Sequence, residues 1–445
     1  MSDAAPTPAR LCAYRVLRRV SDDGAYADRA LRSEADRERL EGRDRALARR
    51  LSYEAIQRRA LLDHVIGAAS DRPVEEIDHP LLDVLRLGVL QLLYLDIPDH
   101  AAVSETVELA KHEGLHPGFA NAVMRRAARE GPAAVERIEA ETAAGAALLH
   151  SHPAWLAELW WETLGPAETA ALLERDNEPP ELAVRANELV TTRDELAVAL
   201  GDAGIASEPA EGLPEGLVLE PGSDPGSTEL FEAGALVPQS RGSMLVGRVV
   251  APEPGQTVLD MCAAPGAKAT HLAALMGDEG ELHAIELHPG RAAELEQACR
   301  RARAGIARVM RADATRDLSV PACDRVLVDA PCSDLGVLQS RPDARWRKTP
   351  DSIHELAGLQ GALLVQAAGN VAPGGTLVYS TCTISPRENE GQVAEFLAEH
   401  PDFEADDLGR EWPKLRSGGD HRCLQLLPHR DRTSGFFIAR LRRAG

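Results

Sequence analysis

The sequence predicts a multidomain protein in which an all-α domain, a small α+β module and a doubly wound α/β domain follow one another along 445 residues. Apolar residues recur at helical spacing over residues 8–135, whereas short apolar strands alternate with helical segments from residue 255 onward. The stretch between them mixes both patterns. Domains usually hold ~100 to 200 residues, so we place them at 1–135, 136–235 and 236–445.

The first domain is predicted to be a helical bundle. Residues 10–20 and 47–65 both show apolar side chains at helical spacing. The densest apolar stretch, residues 81–97, contains Asp83, Arg86 and Gln91. These polar residues indicate a buried helix rather than a membrane span, which needs ~18 or more apolar residues.

The middle module is predicted to contain a strand over 182–187, a helix over 192–200 and a second strand ending near residue 219. In the third domain the expected parallel strands are 257–261, 281–286, 308–312, 325–329 and 376–381. An antiparallel pair, 424–427 and 435–441, would complete the sheet. Such sheets bind ligands at the carboxyl ends of their strands.

Composition excludes several classes of protein. The N-terminus has no basic flank followed by an apolar core, so we expect a cytoplasmic protein without a signal peptide. Seven scattered cysteines, none spaced as CxxC, predict reduced thiols and no metal site. The net charge of −21 opposes nucleic-acid binding on average, but twelve Arg face nine acids in the first fifty residues. A second basic cluster holds Arg341, Arg345, Arg347 and Lys348. Charge alone therefore leaves the partner open.

A strand, a tight turn and a helix start are predicted over residues 258–272. Small residues there allow the backbone to approach a nucleotide, which makes the whole turn a candidate binding segment. Glu286 ends the second strand, where such folds place a carboxylate against ribose hydroxyls, and Asp313 follows the third, where it could reach an adenine. The candidates in the turn are Cys262, Ala263, Ala264, Pro265, Gly266, Ala267 and Lys268.

Two thiols follow neighbouring strands of the predicted sheet. Cys332 comes three residues after Asp329, and Cys382 comes just past the next strand. A cysteine after an apolar strand is usually a small buried hydrophobe. Two at equivalent strand ends, flanked by polar residues, indicate chemistry instead. Cys262 and Cys323 do not share this position.

The motifs resemble those of known families. The third domain is similar to the RNA 5-methylcytosine methyltransferases, and the front, through residues 13–17, 44–48 and 102–126, resembles the helical RNA-binding NusB family. Together they resemble the RsmB (Sun/Fmu) family, which methylates a cytosine in small-subunit ribosomal RNA. The antiparallel sheet edge also favours a methyltransferase over a dehydrogenase. The motifs are residues 260–268 (DMCAAPGAK), 329–333 (DAPCS), 341–346 (RPDARW), 379–383 (YSTCT) and 434–440 (SGFFIAR).

The resemblance implies a Rossmann-like domain that binds S-adenosylmethionine, with Asp329 also in the cofactor site. Cys382 would be the nucleophile, and Cys332 would help proton loss and release of the enzyme. Asp329 would bind the cytosine N3 and N4 edge, and Lys268 would orient base or cofactor. The implied partner is an unstacked cytosine of ribosomal RNA, bound by a monomer. We also expect the partly exposed strand end to favour a Cys382 thiolate.

The resemblance suggests Arg10, Arg15, Arg18 and Arg19 of the front domain as candidate phosphate contacts. The chain also departs from the family pattern: Ala267 and Ala269 stand where a Gly and a Thr are usual. Pro238-Gln239-Ser240 replaces a commoner Val-Gln-Asp run.

The sequence leaves three alternatives open. A DNA-type cytosine methyltransferase would use Cys332 as nucleophile, but Cys382 argues against it. An RNA-binding antitermination factor could carry an inert methyltransferase domain, against which the intact thiols and acid argue. An NAD dehydrogenase shares the sheet but needs neither cysteine, and the GxGxxG spacing is absent.

Overall fold

The computed structural model describes residues 6–445 and divides into two compact units. The helical unit contains the described residues up to Glu178 together with Leu338–Arg347, and the sheet unit contains Pro179–Val337 and Lys348–Gly445. The chain therefore enters the helical unit twice. The three-domain division remains a prediction, because contacts assign residues 136–178 of the predicted module to the helical unit.

Helices occupy most of the first half of the chain and flank the strands in the second. In chain order they are α1 Pro8–Asp22, α2 Ala27–Arg37, α3 Gly42–Gln57, α4 Arg59–Ala69, α5 His79–Tyr94, α6 Asp99–His112, α7 Pro117–Glu136, α8 Ala143–Leu149, α9 Ala154–Leu164, α10 Pro166–Arg175, α11 Arg193–Asp202, α12 Glu229–Glu232, α13 Arg241–Val250, α14 Ala267–Leu275, α15 Pro289–Arg301, α16 Ala344–Arg347, α17 Pro350–Asn370, α18 Glu390–Glu399, α19 Leu408–Glu411 and α20 Pro428–Asp431.

The helical unit is organised around α5, whose sides are buried nearly all round. Leu85 and Leu90 are fully buried in its core, where each large apolar side chain contributes roughly 1.5 to 3 kcal/mol. The charges on this helix are paired: the Arg86 guanidinium donates to Asp63 at 2.7 Å and to Asp83 at 2.8 Å. Within residues 6–445, no helix combines the length and apolar character that crossing a bilayer requires.

The strands form two sheets in the sheet unit. In chain order they are β1 Ala183–Ala186, β2 Ser207–Pro209, β3 Gly216–Leu219, β4 Leu236–Pro238, β5 Thr257–Asp260, β6 Glu281–Glu286, β7 Ala307–Arg311, β8 Cys323–Asp329, β9 Val371–Thr381, β10 Phe403–Ala405, β11 Leu424–Leu426 and β12 Phe436–Arg443.

The small sheet is antiparallel, with the order β2-β3-β1-β4. It confirms the predicted strand at residues 182–187 and the helix that follows. The sequence analysis missed β2 and β4, because each has three residues and too short an apolar pattern to detect.

The large sheet has the order β10-β12-β9-β8-β5-β6-β7, with β11 paired to β12. Strands β7, β6, β5, β8 and β9 are parallel, whereas β12 runs antiparallel to β9. This confirms the predicted doubly wound sheet and its antiparallel edge. The strand order reverses on the two sides of β5, so the carboxyl ends of β5, β6, β8 and β9 border the crevice where such folds bind ligands.

Candidate active site

The predicted cofactor turn joins β5 to α14. Its backbone is fixed by the Ala263 amide, which donates to Ile285 O at 2.9 Å. Gly266 has φ 113°, a conformation that favours glycine, and α14 begins after it without a side-chain cap. The first amides of α14 are therefore left for a ligand, and a helix N-terminus favours negative or electron-rich groups.

Asp260 ends β5 and lies beneath this turn. It is fully buried, and among residues 6–445 neither carboxylate oxygen has a partner at full hydrogen-bond geometry, although the Cys262 amide lies near enough to lower its pKa. Burial, together with the negative charge of Asp329, raises the pKa of Asp260 to about 7. A buried carboxylate without partners is costly unless a ligand satisfies it. The sequence analysis left Asp260 out of the site residues, although its place at the end of the first strand was the available signal.

Glu286 and Asp313 have different surroundings. Glu286 is buried at the end of β6, accepts from the His288 amide at 2.8 Å and lies 3.6 Å from the Arg291 guanidinium. Asp313 accepts from the amide and hydroxyl of Thr315, whose hydrogen bonds lower the pKa of its carboxyl. Glu286 therefore lines the crevice as a buried acceptor, whereas Asp313 is fixed at a more exposed loop.

The two predicted thiols lie side by side. The sulfurs of Cys332, after β8, and Cys382, after β9, are 3.3 Å apart. The Cys382 thiol also donates to Asp334 Oδ1 at 3.3 Å. Asp334 was not predicted as a site residue, although it stands two positions after Cys332.

Cys382 is partly exposed, as expected, but the expectation that this position favours its thiolate is wrong. The hydrogen bond with Cys332, burial and the negative charges of Asp334 and Asp329 together raise the pKa of Cys382 well above its ordinary value. The resting side chain is therefore a thiol, which must lose its proton before it can act as a nucleophile.

Asp329 and Lys268 form an ion pair beside the thiols. Lys268 Nζ lies 2.7 Å from Asp329 Oδ2, and the Ser380 hydroxyl donates to Asp329 Oδ1 at 2.8 Å. Each carboxylate oxygen thus has one partner and a lone pair to spare. Lys268 also lies 5.1 Å from the centre of the Phe436 ring, which limits where its ammonium can move.

Buried polar side chains fix the two cysteine-bearing loops to each other. The Ser333 hydroxyl lies 2.6 Å from that of Thr383, and Glu388 accepts from the Ser333 amide at 2.9 Å. Gln360 also donates to Glu388, at 3.0 Å. Since these side chains are buried and hydrogen-bonded to one another, they hold the neighbouring sulfurs in place.

Gly336 allows the loop after Cys332 to pass close to the rest of the site. Its amide donates to Cys382 O at 2.9 Å, and its carbonyl accepts from the Gly435 amide at 2.7 Å. A Cβ at position 336 would stand 2.4 Å from Gly435 O and 2.9 Å from Cys382 O. A side chain there would therefore displace backbone directly attached to the second thiol.

The basic residues at 341–348 do not form one exposed patch. Arg345 is fully buried in the helical unit, where its guanidinium donates to backbone carbonyls, and Arg347 pairs with Asp343 at 2.8 Å. Hydropathy cannot distinguish a buried Arg from an exposed one, so the sequence pattern shows only that these residues are basic. Lys348, in the sheet unit, donates to Cys332 O at 3.3 Å.

The residues around the turn fit S-adenosylmethionine. S-adenosylmethionine is an amino acid joined to a nucleoside, and it needs both hydrogen-bond acceptors and donors. The carboxylates of Asp260 and Glu286 are buried acceptors, and the uncapped amides at the start of α14 are donors.

The matches to known families agree with this cofactor. Residues 248–442 match the family described as 16S rRNA methyltransferase RsmB/F, residues 7–129 match the NusB family, and residues 152–224 match the RsmF/B-like ferredoxin-like domain. Fold and site thus define an S-adenosylmethionine-dependent methyltransferase.

Full-length relatives make the assignment more specific. The chain is 36% identical to the Synechocystis protein named "Probable ribosomal RNA small subunit methyltransferase B", over 98% of this chain and 99% of that one. It is similar to the solved structure of PH0851, with a TM-score of 0.81 and 26% identity over 99% and 100% of the two chains. NSun6 from Pyrococcus horikoshii, solved with the S-adenosylmethionine analogue SFG, has a TM-score of 0.61 and 25% identity over 67% of this chain and 100% of its own. The chain belongs to the RsmB/F family of 16S ribosomal RNA methyltransferases.

Glu286→Ala is expected to weaken binding of S-adenosylmethionine by about 10- to 150-fold, the loss expected when a charged hydrogen-bond acceptor is removed. Isothermal titration calorimetry of the folded variant measures it. Glu281→Ala is the matched control, because Glu281 begins the same strand, is half-exposed and pairs with Arg308 at 2.9 Å. Equal affinity in the Glu286 variant and the parent would contradict this placement of the cofactor.

Proposed function

We propose that this enzyme transfers a methyl group from S-adenosylmethionine to C5 of a cytosine in small-subunit ribosomal RNA, through a covalent bond between Cys382 and cytosine C6. The observation that carries the proposal is the pair of sulfurs 3.3 Å apart, past adjacent strands and beside the Lys268–Asp329 ion pair. Asp260, Cys262–Lys268, Glu286, Asp313 and Asp329 would hold the cofactor, which supplies an electrophilic methyl group when bound.

The reaction needs a sulfur nucleophile because cytosine C5 is a poor carbon nucleophile. When the Cys382 thiolate adds to C6, a C–S bond forms and the C5–C6 double bond opens, which makes C5 electron-rich. After methylation, loss of the C5 proton restores the double bond and expels the thiolate. The second sulfur, Cys332, lies close enough to assist this proton loss and release.

The ion pair would recognise and activate the base. The Asp329 carboxylate would accept from the cytosine N4 amino group and also from N3, once N3 carries the proton that Cys382 gives up, and this proton would draw electron density out of the ring. Lys268 keeps Asp329 in place through its 2.7 Å contact. A hydrogen-bonding site of this kind would also discriminate cytosine from uracil, because uracil carries the acceptor O4 in place of the N4 amino group that would donate to Asp329.

The target base must leave its stack to reach the thiol pair in the crevice, which favours a loop or an unpaired segment of RNA. We assign RNA docking to the helical unit because of its match to the NusB family. The sequence suggests four arginines of this unit as phosphate contacts. In the structure all four are paired with acids inside the unit, so we do not assign them this role. The pairs are Arg10 with Glu105, Arg15 with Glu38, Arg18 with Asp22 and Asp83, and Arg19 with Glu34.

An antitermination-type factor with an inert methyltransferase domain is the less favoured alternative. Such a factor would not need the contacts that hold Cys332, Cys382 and Asp329 together. We propose instead a monomeric enzyme that needs no resident metal and works in the cytoplasm, where ribosomal RNA is assembled into subunits.

The proposal predicts that small-subunit ribosomal RNA from cells lacking the gene loses one 5-methylcytosine, as read by bisulfite sequencing. Purified enzyme and S-adenosylmethionine should restore it on that RNA. The other modified cytosines of the same RNA serve as the internal control. An unchanged 5-methylcytosine map would refute the ribosomal assignment, and a methyl group found on another atom by mass spectrometry would refute the C5 chemistry.

A further inference from the structure

We propose that Cys332, Cys382 and Asp334 form a binding site for a soft divalent cation, with Zn²⁺ as the defining case, and that the bound cation stops methyl transfer. The metal site is inferred from donor geometry alone. Its inhibitory effect rests on the proposed function, because it requires that these thiols perform the reaction. The cation would be an inhibitor and not a resident cofactor, because the proposed reaction requires both sulfurs to be free of metal.

The donor atoms are spaced nearly as a zinc ion requires. The Cys332 and Cys382 sulfurs are 3.3 Å apart, the Cys382 sulfur is 3.3 Å from Asp334 Oδ1, and all three donor atoms lie within 4.8 Å of one another. Two thiolates bound to a tetrahedral zinc lie roughly 3.8 Å apart, and a thiolate and a carboxylate oxygen roughly 3.5 Å. The sulfurs need to separate by only a few tenths of an ångström to admit the ion.

Asp334 supplies the ligand that makes the pair a three-donor site. Its φ of 62° is a left-handed conformation that non-glycine residues adopt infrequently, and there its carboxylate accepts from the Cys382 thiol. Two thiolates with one carboxylate form a ligand set suited to zinc and to other soft ions, but not to magnesium or calcium. Three protein ligands leave a fourth tetrahedral position for water.

The surrounding charges favour a cation. Two carboxylates, Asp329 and Asp334, act electrostatically on Cys382. The Lys268 ammonium is paired with Asp329 at 2.7 Å, and Lys348, which donates to Cys332 O at 3.3 Å, is not among the main charges acting on Cys382. Binding a dication would release the thiol protons and replace them with positive charge between the sulfurs. A sulfur bound to zinc has donated the electron pair that attack on C6 requires.

The first experiment measures binding without RNA or S-adenosylmethionine. Zn²⁺ is titrated into the reduced full-length protein against a chromophoric chelator, and Co²⁺ is used in parallel for its sulfur-to-cobalt absorption. We expect one ion per chain. Cys332→Ala and Cys382→Ala should weaken zinc binding by more than about 100-fold, and Asp334→Gly by about 10-fold or more.

The controls are chosen from the same unit. Asp334→Gly removes the carboxylate at a backbone conformation that glycine adopts without strain. Cys423→Ala removes a buried thiol outside the cluster and should leave zinc affinity unchanged. Zinc affinity that is equal in the parent and all three cluster variants, or a cobalt complex without sulfur absorption, would overturn the proposed site.

The second experiment measures methyl transfer to small-subunit ribosomal RNA at rising Zn²⁺, each variant normalised to its own metal-free rate. Inhibition should follow the binding curve, should be reversed by a chelator and should require more zinc in Asp334→Gly. Mg²⁺ should not reproduce it. Tight, cluster-dependent binding without inhibition would refute the inhibitory role and the assignment of these thiols to catalysis, while the metal site itself would stand.

Discussion

Cys382→Ala is expected to abolish both methyl transfer and the covalent complex with RNA, lowering the rate by more than ~10⁴-fold, the scale seen when a covalent enzyme loses its nucleophile. The physical reason is that C5 becomes reactive only after a sulfur has added to C6. The Cys332 sulfur lies 3.3 Å from the Cys382 sulfur, on the loop that follows β8. Because its position is different, we do not expect it to replace Cys382 in the attack on C6. Methyl transfer from labelled S-adenosylmethionine to RNA measures the loss.

Cys332→Ala should give the opposite outcome on a denaturing gel. The adduct should still form through Cys382 but fail to resolve, so a protein–RNA complex accumulates, and it should require S-adenosylmethionine if the trapped species is methylated. The double variant should form no complex. Trapping by Cys382→Ala and loss of the complex with Cys332→Ala would exchange the two roles and indicate the DNA-type mechanism.

Arg345→Met should lower the free energy of unfolding by about 3 to 5 kcal/mol, the cost of breaking a buried charged network. The fully buried guanidinium donates to Gln57 O, Ser151 O and Asp176 O at 3.0–3.1 Å and to the Asn177 side chain at 2.9 Å. Methionine has a similar length but no donors, so the carbonyls would lose their partners in a dry interior.

Urea denaturation followed by circular dichroism measures this change. Arg32→Met, at an exposed position of α2 in the same unit, is the control and should change stability by no more than ~0.5 kcal/mol. Equal losses in the two variants would show that the buried hydrogen bonds of Arg345 contribute little, and that the segment is held by its apolar contacts.

The sequence predicted the large sheet well because its parallel strands are short apolar runs separated by helices. Strand β10, three residues long, escaped because its pattern is too short to distinguish from a loop. The positions of Cys332 and Cys382 were predictable for the same reason as the sheet: residues that follow adjacent parallel strands meet at one edge.

What the sequence could not supply was the environment of each group. The raised pKa of Cys382 depends first on a neighbouring sulfur fifty positions earlier, and then on burial and on Asp334. Partnerless Asp260 is apparent only when its burial is known. Arg345 bonds to a residue 288 positions away, and no local pattern records a contact over that separation.

The re-entry of Leu338–Arg347 into the helical unit bears on how the protein is made. A ribosome releases the chain from its N-terminus, so the first 178 residues emerge long before Arg345 does. Until then the carbonyls of Gln57, Ser151 and Asp176 lack the donor that satisfies them in the finished fold. The helical unit is thus completed late in translation, after β8 and Cys332 have been synthesised. Maturation of the helical unit, to which we assign RNA docking, is thereby tied to synthesis of the catalytic one, and a nascent chain that stops short of residue 345 lacks a finished version of either.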